Sequence, residues 1–400
     1  MWPPDPEPMR ESPSRSALWV IVASATLTVM AGAVLGPVVP GIQGGLGVSE
    51  SLAGLIITTH GAFIVLTSPV AGWLIDRYGP RRPYVAGLGI YAVGGGAGVL
   101  VDSFLPLLAS RAVLGVGVAF VYTGVTVLIY DLYTGARMDR ALGLRSGANS
   151  VGAAAWPLVG GALGLVSWQA PFAVYLLAAP LGLVAFFLIP ETGRGDDDSE
   201  GASDEERGDE TRVLSVLRRR PALLIVYLLY FTANALLYSI VVFYPGLLGE
   251  VGVGSSFGIG LYLSASGIAG GITGSLYGRL KRRLGARRLV ATAFVLWLVG
   301  FGVATVLTTP LAAFAPVVLF GLGLGLVFPS AFVWVESLAP KSKQGQFGSY
   351  VAMAGYVGQF VSPIVFGPLV GPFGIRSVFL VATVVAAVGL ASVAVVTFQR

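Results

Sequence analysis

The stretch Gly72-Trp73-Leu74-Ile75-Asp76-Arg77-Tyr78-Gly79-Pro80-Arg81-Arg82 interrupts an apolar run, and a degraded copy of it returns in the second half of the chain. Gly274-Ser275-Leu276-Tyr277-Gly278-Arg279 matches Gly72 to Arg77 at an offset of 202, and Gly285-Ala286-Arg287-Arg288 matches Gly79 to Arg82 at 206. The two offsets imply four residues inserted in the second copy. Downstream the offset of 206 persists: Gly115 and Gly117 pair with Gly321 and Gly323, Gly152 with Gly358, Pro157 with Pro363, and Gly161 with Gly367. A repeat of this length is a more specific signal than hydropathy, and it implies two units of common design.

Around these loops the chain is too apolar for water. Its 400 residues are 55% hydrophobic and 11% charged, with a mean hydropathy of +0.81. That composition excludes a soluble enzyme or a nucleic-acid-binding module. At roughly 20 apolar residues per span, the apolar runs predict helices over 17–40, 51–75, 84–101, 105–129, 143–165 and 168–190, then 221–247, 256–278, 288–307, 311–335, 346–370 and 376–398. The expected fold is all-α and integral to the membrane, with twelve transmembrane helices in two pseudo-symmetric six-helix bundles, 17–190 and 221–398. A polar N-terminal tail occupies 1–16, and 399–400 form the C-terminal end. The run from Ala17 to Pro40 exceeds the apolar core of a signal peptide and reads as a retained first helix. Between the bundles, 191–220 carries ten acids from Glu191 to Glu210 and ends in Arg218-Arg219-Arg220. With almost nothing apolar to bury, it reads as a disordered cytoplasmic linker.

Charge sets the expected orientation. The net charge of +5 and pI near 9.4 reside in basic residues between apolar runs, where they orient helices instead of binding nucleic acid. With the N-terminus cytoplasmic, an even number of helices returns the linker and the C-terminus to the same side. Of the 25 basic residues, 23 then fall in cytoplasmic segments, and Arg111 and Arg376 do not. Glu50, Asp102 and Glu250 mark external turns. The expected location is the cell membrane, multi-pass, with both termini cytoplasmic. Cysteine is absent, which leaves no thiolate metal site and no cysteine nucleophile. A parallel repeat of two bundles suggests a site near the bilayer midplane between them, reached alternately from either side by rocking.

The loop from Gly72 to Arg82 resembles the signature loop of the major facilitator superfamily, and the resemblance covers nearly the whole chain. It implies a latch that closes the cytoplasmic side in the outward-facing state, built from Gly72, Asp76, Arg77, Gly79 and Arg81. Gly72 would allow close approach of neighbouring helices. Pro80 stands where the first of a basic pair is usual, which makes Arg81 the latch cation. By the same resemblance Asp131, at the end of the fourth helix, would form a charge relay with the loop and with Arg140. Glu336 holds the equivalent end of the tenth helix, facing a loop copy whose acid is lost at Gly278.

Arg111-Ala112-Val113-Leu114-Gly115-Val116-Gly117 is similar to the family's fourth-helix motif associated with proton-coupled members. An arginine within a span is costly and usually functional. Arg111 lies about 9 Å from the helix start at Leu105, so snorkelling to external headgroups is the competing reading. Val317 occupies the equivalent position in the second half. On the fifth helix, Gly143, Gly152, Pro157, Gly160 and Gly161 reproduce the spacing of the antiporter motif, with Trp156 where that motif has glycine. The group implied is the twelve-helix drug/proton antiporters, and the direction is export. Small residues permit tight packing and Pro157 permits a bend, although Trp156 would crowd the contact.

His60, the one histidine, falls in mid-span of the second helix, where its ionisation range suits a proton switch. A neutral histidine bonded to a nearby hydroxyl or carbonyl is the alternative. Tyr122, Asn149, Asn234, Tyr238 and Gln359 lie on helices that line the cavity in the family and suggest a roomy, weakly polar pocket. The expected activity is proton-coupled efflux of small amphipathic organic compounds by alternating access. A sugar or organic-anion symporter or uniporter, with Arg111 as the anion partner, is the alternative within transport. An alternative of another class is a membrane-embedded prenyltransferase-like enzyme holding magnesium diphosphate at Asp196, Asp197 and Asp198, which lack a helical frame. No catalytic residues, cofactor, metal or nucleic-acid partner are expected. The expected partners are a small-molecule substrate, protons as coupling ion and the lipid bilayer, and the chain is expected to act as a monomer.

Overall fold

A computed structural model describes residues 15–191 and 215–398, and within these residues the chain is helical and without strands. In the first half α1 spans Arg15–Leu46, with a 3-10 turn at Gly36–Val38, and α2 spans Glu50–Tyr78. Next come α3 (Arg81–Gly96), α4 (Phe104–Leu132), α5 (Gly135–Gly164) and α6 (Ala170–Leu188). In the second half α7 spans Ala222–Glu250, α8 256–284 and α9 286–305, followed by α10 (Leu311–Leu338), α11 (Gln344–Phe373) and α12 (Arg376–Phe398). α8 and α9 form one helical stretch, Ser256–Thr305, broken at Gly285. Nine stretches of the described residues are long and apolar enough to cross a membrane, and Ser256–Thr305 accounts for two spans. α3, at 16 residues, and α5, with its polar first turns, complete the twelve.

The two halves stay in register at an offset of 206 from end to end. Glu50–Tyr78 corresponds to 256–284, and the caps agree: Ser49 Oγ accepts from Leu52 N at 3.4 Å, and Ser255 Oγ from Gly258 N at 3.1 Å. Gly79 (φ 76°, ψ 161°) and Gly285 (φ 75°, ψ 154°) share a conformation that glycine alone adopts freely. The insertion expected in the second loop is therefore absent. Gly72 corresponds to Gly278, Asp76 to Arg282 and Arg77 to Arg283. The match at 202 slides the helix by about one turn, which keeps each residue on nearly the same face and so looks plausible in sequence.

Lipid tails are as apolar as the helices, so association relies on close approach at small residues. Two helix pairs, α5 with α8 and α2 with α11, join the bundles this way. Away from the signature loops, Ser256 Oγ donates to the Gly161 carbonyl at 2.8 Å, and a Cβ on Gly260 would lie 2.6 Å from Pro157 O. Gly267 packs directly on the Ala153 carbonyl, and a Cβ on Gly271 would keep 3.5 Å from Ser150 Cβ. One turn further, Gly274 and Gly147 have nothing within 4 Å. The other pair behaves alike: Gly54 would meet Pro363 at 2.7 Å and Gly61 would meet Tyr356 O at 3.1 Å, whereas Gly72, Gly345 and Gly348 face open space. The bundles are closed on the far side and splayed on the signature-loop side.

Residues 192–214, most of the acidic linker, lie outside the described residues, together with Asp196, Asp197 and Asp198. Its last part differs from the expected featureless chain. Residues 215–219 form a helical turn, Val216 and Leu217 pack on a cluster with Leu223 and Phe347, and Arg220 donates to the Leu338 carbonyl. Two apolar residues in a polar stretch suffice to seat that turn.

Candidate functional site

Arg111 is fully buried, with 0% of its surface exposed. Its Nη2 donates to the Ala31 carbonyl of α1 at 3.3 Å, and its guanidinium carbon lies 4.6 Å from the Tyr175 ring centre and 5.5 Å from that of Phe172, both near the start of α6. Nε and Nη1 have no partner. The snorkelling alternative is thereby overturned, because the side chain points inward to a carbonyl and two ring faces. Desolvated cation–π contact contributes about 2 kcal/mol, which offsets only part of the cost of a buried cation with two idle donors. The surrounding hydroxyls lace the bundle to α1: Tyr175 OH donates to Ala31 O at 2.9 Å, and Tyr91 OH to Leu27 O at 2.6 Å. Tyr84 OH and Ser24 Oγ share a further hydrogen bond.

His60 sits beside this cluster, within electrostatic reach of Arg111. Its Nδ1 is 2.6 Å from the Ile57 carbonyl one turn earlier. Since a carbonyl only accepts, Nδ1 carries a proton, and Nε2 is the nitrogen left to take up a second one. Gly115 of α4 packs against the His60 carbonyl. From the opposite bundle, Tyr238 of α7 puts its hydroxyl into the notch at Gly32, where a Cβ would strike it and lie 3.3 Å from His60 Cε1. Arg111, His60 and Tyr238 are thus brought together across the bundle seam. Tyr175 and Tyr91 complete the cluster. Sequence reasoning missed both, and the asymmetry of Tyr175 against Val381 at the equivalent position was the available sign.

The other cavity residues divide. Gln359 Nε2 donates to Asn234 Oδ1 at 3.0 Å, and Asn234 Nδ2 donates to Tyr230 O at 2.9 Å, so α11 and α7 are tied within the second bundle. Tyr122 of α4 meets Tyr356 of α11 edge to face, ring centres 6.2 Å apart, which bridges the bundles. Asn149 on α5 has a buried Oδ1 without a partner. One turn before it lies Arg145, whose guanidinium covers Tyr122 at 5.1 Å and whose Nη1 donates to Thr126 Oγ1 at 3.0 Å. Arg145, expected among the cytoplasmic cations at the start of a span over 143–165, instead lies about 15 Å inside α5, which begins at Gly135.

In the antiporter motif Gly160 packs on the Val34 carbonyl and Gly161 on Ser256, while Gly143 has nothing within 4 Å. Trp156 does not crowd the Pro157–Gly260 contact. Its Nε1 donates to the Thr26 carbonyl at 3.1 Å, with the ring lying against α1 next to Gly152. At the signature loop, Arg81 and Arg82 pair with Glu191 at 3.3 and 2.9 Å, and Arg81 also reaches the Phe186 carbonyl and ring. Arg77 lies over Trp73 and Tyr78. Asp76 and Asp131 are both engaged, Arg140 and Glu336 are exposed, and Gln344 Nε2 donates to the Glu336 backbone carbonyl at 2.7 Å. The close approach expected at Gly72 is not made in this splayed conformation.

The profile of the Major Facilitator Superfamily matches residues 21–363, and again 238–400. The chain belongs to this superfamily. It is 26% identical over 359 residues to "Multidrug resistance protein 1" of Bacillus subtilis, covering 89% of this chain and 90% of that protein. Over a shorter stretch, 46% of this chain and 47% of the relative, it is 33% identical to "Tetracycline resistance protein, class C" of Escherichia coli. Among solved structures it is similar to a bacterial homologue of the human lysosomal transporter Spinster (TM-score 0.79, 17% identity, 94% of this chain and 95% of that one). The nucleoside transporter NupG is similar at TM-score 0.78 and 14% identity, over 97% of this chain and all of that one (100%). As a major facilitator, the protein is a multi-pass membrane transporter of small molecules and not an enzyme.

Proposed function

We propose that this major facilitator expels small amphipathic organic compounds in exchange for protons, as a monomer in the cell membrane with both termini cytoplasmic. The observation that carries the reading is the buried cluster of Arg111, His60 and Tyr238, which joins an uncompensated cation, a titratable ring and a side chain of the opposite bundle. His60 and Arg111 lie within electrostatic reach of one another in a dry pocket, so charging both at once is costly. A proton arriving on His60 repels Arg111 and unseats Tyr238, which couples charge to bundle movement. The splayed state with a neutral His60 is then the state after proton release to the cytoplasm.

The remaining residues take mechanical roles in this reading. Gly143, Gly152, Pro157, Gly160 and Gly161 let α5 slide and bend against α1 and α8. Gly72, Asp76, Arg77, Gly79, Arg81, Asp131, Arg140 and Glu336 close the signature-loop side when the far side opens. Tyr122, Asn149, Asn234, Tyr238 and Gln359 face the compound. The resistance proteins to which the chain is similar support export. The test is substrate-triggered proton movement in oriented proteoliposomes carrying an internal pH dye, with a panel of aromatic cations, anions and neutral compounds. Protons moving against the compound are expected; protons moving with it would establish symport and overturn the export reading.

A further inference from the structure

We propose that the transported compounds are organic anions, and that Arg145 binds the anionic group. The inference rests on the efflux reading for the direction of transport only, and it differs from an anion partnership with Arg111. Arg111 is sealed behind Tyr175, Phe172 and Ala31 and has no opening to a ligand.

Arg145 is placed differently. Its guanidinium lies over Tyr122, whose ring meets Tyr356 of the opposite bundle, so this face of α5 is turned toward the seam between the splayed bundles. Arg145 is only partly buried, and Thr126 uses one of its five donors. The others are not among the buried atoms that lack a partner, so they are not sealed as those of Arg111 are. The ion pairs between described residues, Arg81–Glu191, Arg82–Glu191 and Arg376–Glu250, leave it out. Every described carboxylate lies in a loop or within five residues of a helix end, so no acid of the mid-membrane region competes for the guanidinium.

The walls around it are aromatic. Tyr122 lies under the guanidinium and against Tyr356 of the opposite bundle, and Tyr230 follows with Phe328 at 5.0 Å and Phe332 at 5.7 Å. A planar fork pinned at one end by Thr126 and Tyr122 is preorganised for bidentate capture of a carboxylate. The rings offer a flat apolar surface for the rest of the molecule. A lipophilic cation would meet an unneutralised positive charge in the same place. The site therefore fits an aromatic carboxylate or a compound of like charge and shape.

The experiment compares three probes of one ring system, 1-naphthylacetate, 2-(1-naphthyl)ethanol and (1-naphthylmethyl)trimethylammonium. Equilibrium dialysis against the full chain in zwitterionic nanodiscs, corrected for empty discs, measures binding. The expected order is anion, then alcohol, then cation, with the anion about tenfold tighter than the alcohol. Arg145→Gln should remove that tenfold preference and leave alcohol binding unchanged, and Arg145→Lys should keep the order at reduced strength. Tightest binding of the cation by the unaltered protein, or an anion preference that survives Arg145→Gln, would overturn the proposal. The direction of flux is read separately: Arg145-dependent anion binding with protons moving alongside the anion would sink the efflux reading and leave this site standing.

Discussion

At 111 the first bundle holds an arginine where the second, at 317, holds a valine; at 60 and 266 a histidine faces a serine, and at 175 and 381 a tyrosine faces a valine. At 32 and 238 the order reverses, and the tyrosine of the second bundle fills the notch left by the glycine of the first. Many of the backbone-shaping positions do not differ. Ser49 and Ser255 cap, Gly79 and Gly285 turn, Gly115 and Gly321 each rest on a carbonyl of the neighbouring helix, and Pro157 and Pro363 each face a glycine across the seam. One architecture is used twice, while Arg111, Arg145 and His60, the basic side chains set well inside the helices, all lie in the first bundle.

Exchanging residues between equivalent positions tests that asymmetry. The largest effect is expected from Val317→Arg. Val317 is fully buried, and Val381 stands where Tyr175 would have covered the guanidinium. The substitution should cost on the order of 5 kcal/mol, seen as loss of monodisperse protein and a lower Tm in detergent; an unchanged Tm would mean that the second bundle can host a cation equally well. Arg111→Val should leave the Tm unchanged or higher, since it removes a buried cation with idle donors, yet cut substrate-driven proton movement by about two orders of magnitude. Parallel loss of fold and transport would assign the arginine to structure instead.

The shared part of the comparison is sharpened at the seam. Gly61→Leu and Gly267→Leu overpack related contacts and should each cost about 1–3 kcal/mol in bundle closure, with similar losses of transport. A clear inequality between them would show that the two seams do different work. The smallest effect is expected from Asp76→Asn, whose counterpart is Arg282. It should favour the splayed state by about 0.5–1 kcal/mol, read as a longer mean distance between spin labels at 147 and 274, introduced as cysteines into a chain that has none. An unchanged distance distribution would remove Asp76 from the latch.

Much of the fold was legible in sequence, because twelve apolar runs and a repeat of fixed spacing leave few alternatives. The start of α5 was not. Gly135 to Arg145 contains Arg137, Asp139 and Arg140, so hydropathy starts the span only at 143, and Arg145, two residues in, passes for a cation of the cytoplasmic end. The slip from 206 to 202 has a similar origin: an all-round apolar helix has no polar stripe to fix its rotation, so a shift of one turn goes unnoticed. Arg111 and His60 stood out because polar residues in mid-span are rare. Tyr175, Tyr91 and Tyr356 did not, because a tyrosine's importance lies in which carbonyl or ring it meets, and that is decided by tertiary packing.

The contacts that hold the bundles at mid-height, Gly267 on the Ala153 carbonyl and Gly61 on the Tyr356 carbonyl, press bare Cα atoms against backbone oxygens. Interlocked side chains would have to climb over one another whenever the two halves turned. A carbonyl lying on a glycine offers weak, undirected attraction instead, smooth to rotate over and without a tooth to clear. The joint works as a bearing, and the tempo of any rocking passes from the seam to whatever loads the two ends, the compound and the surrounding lipid.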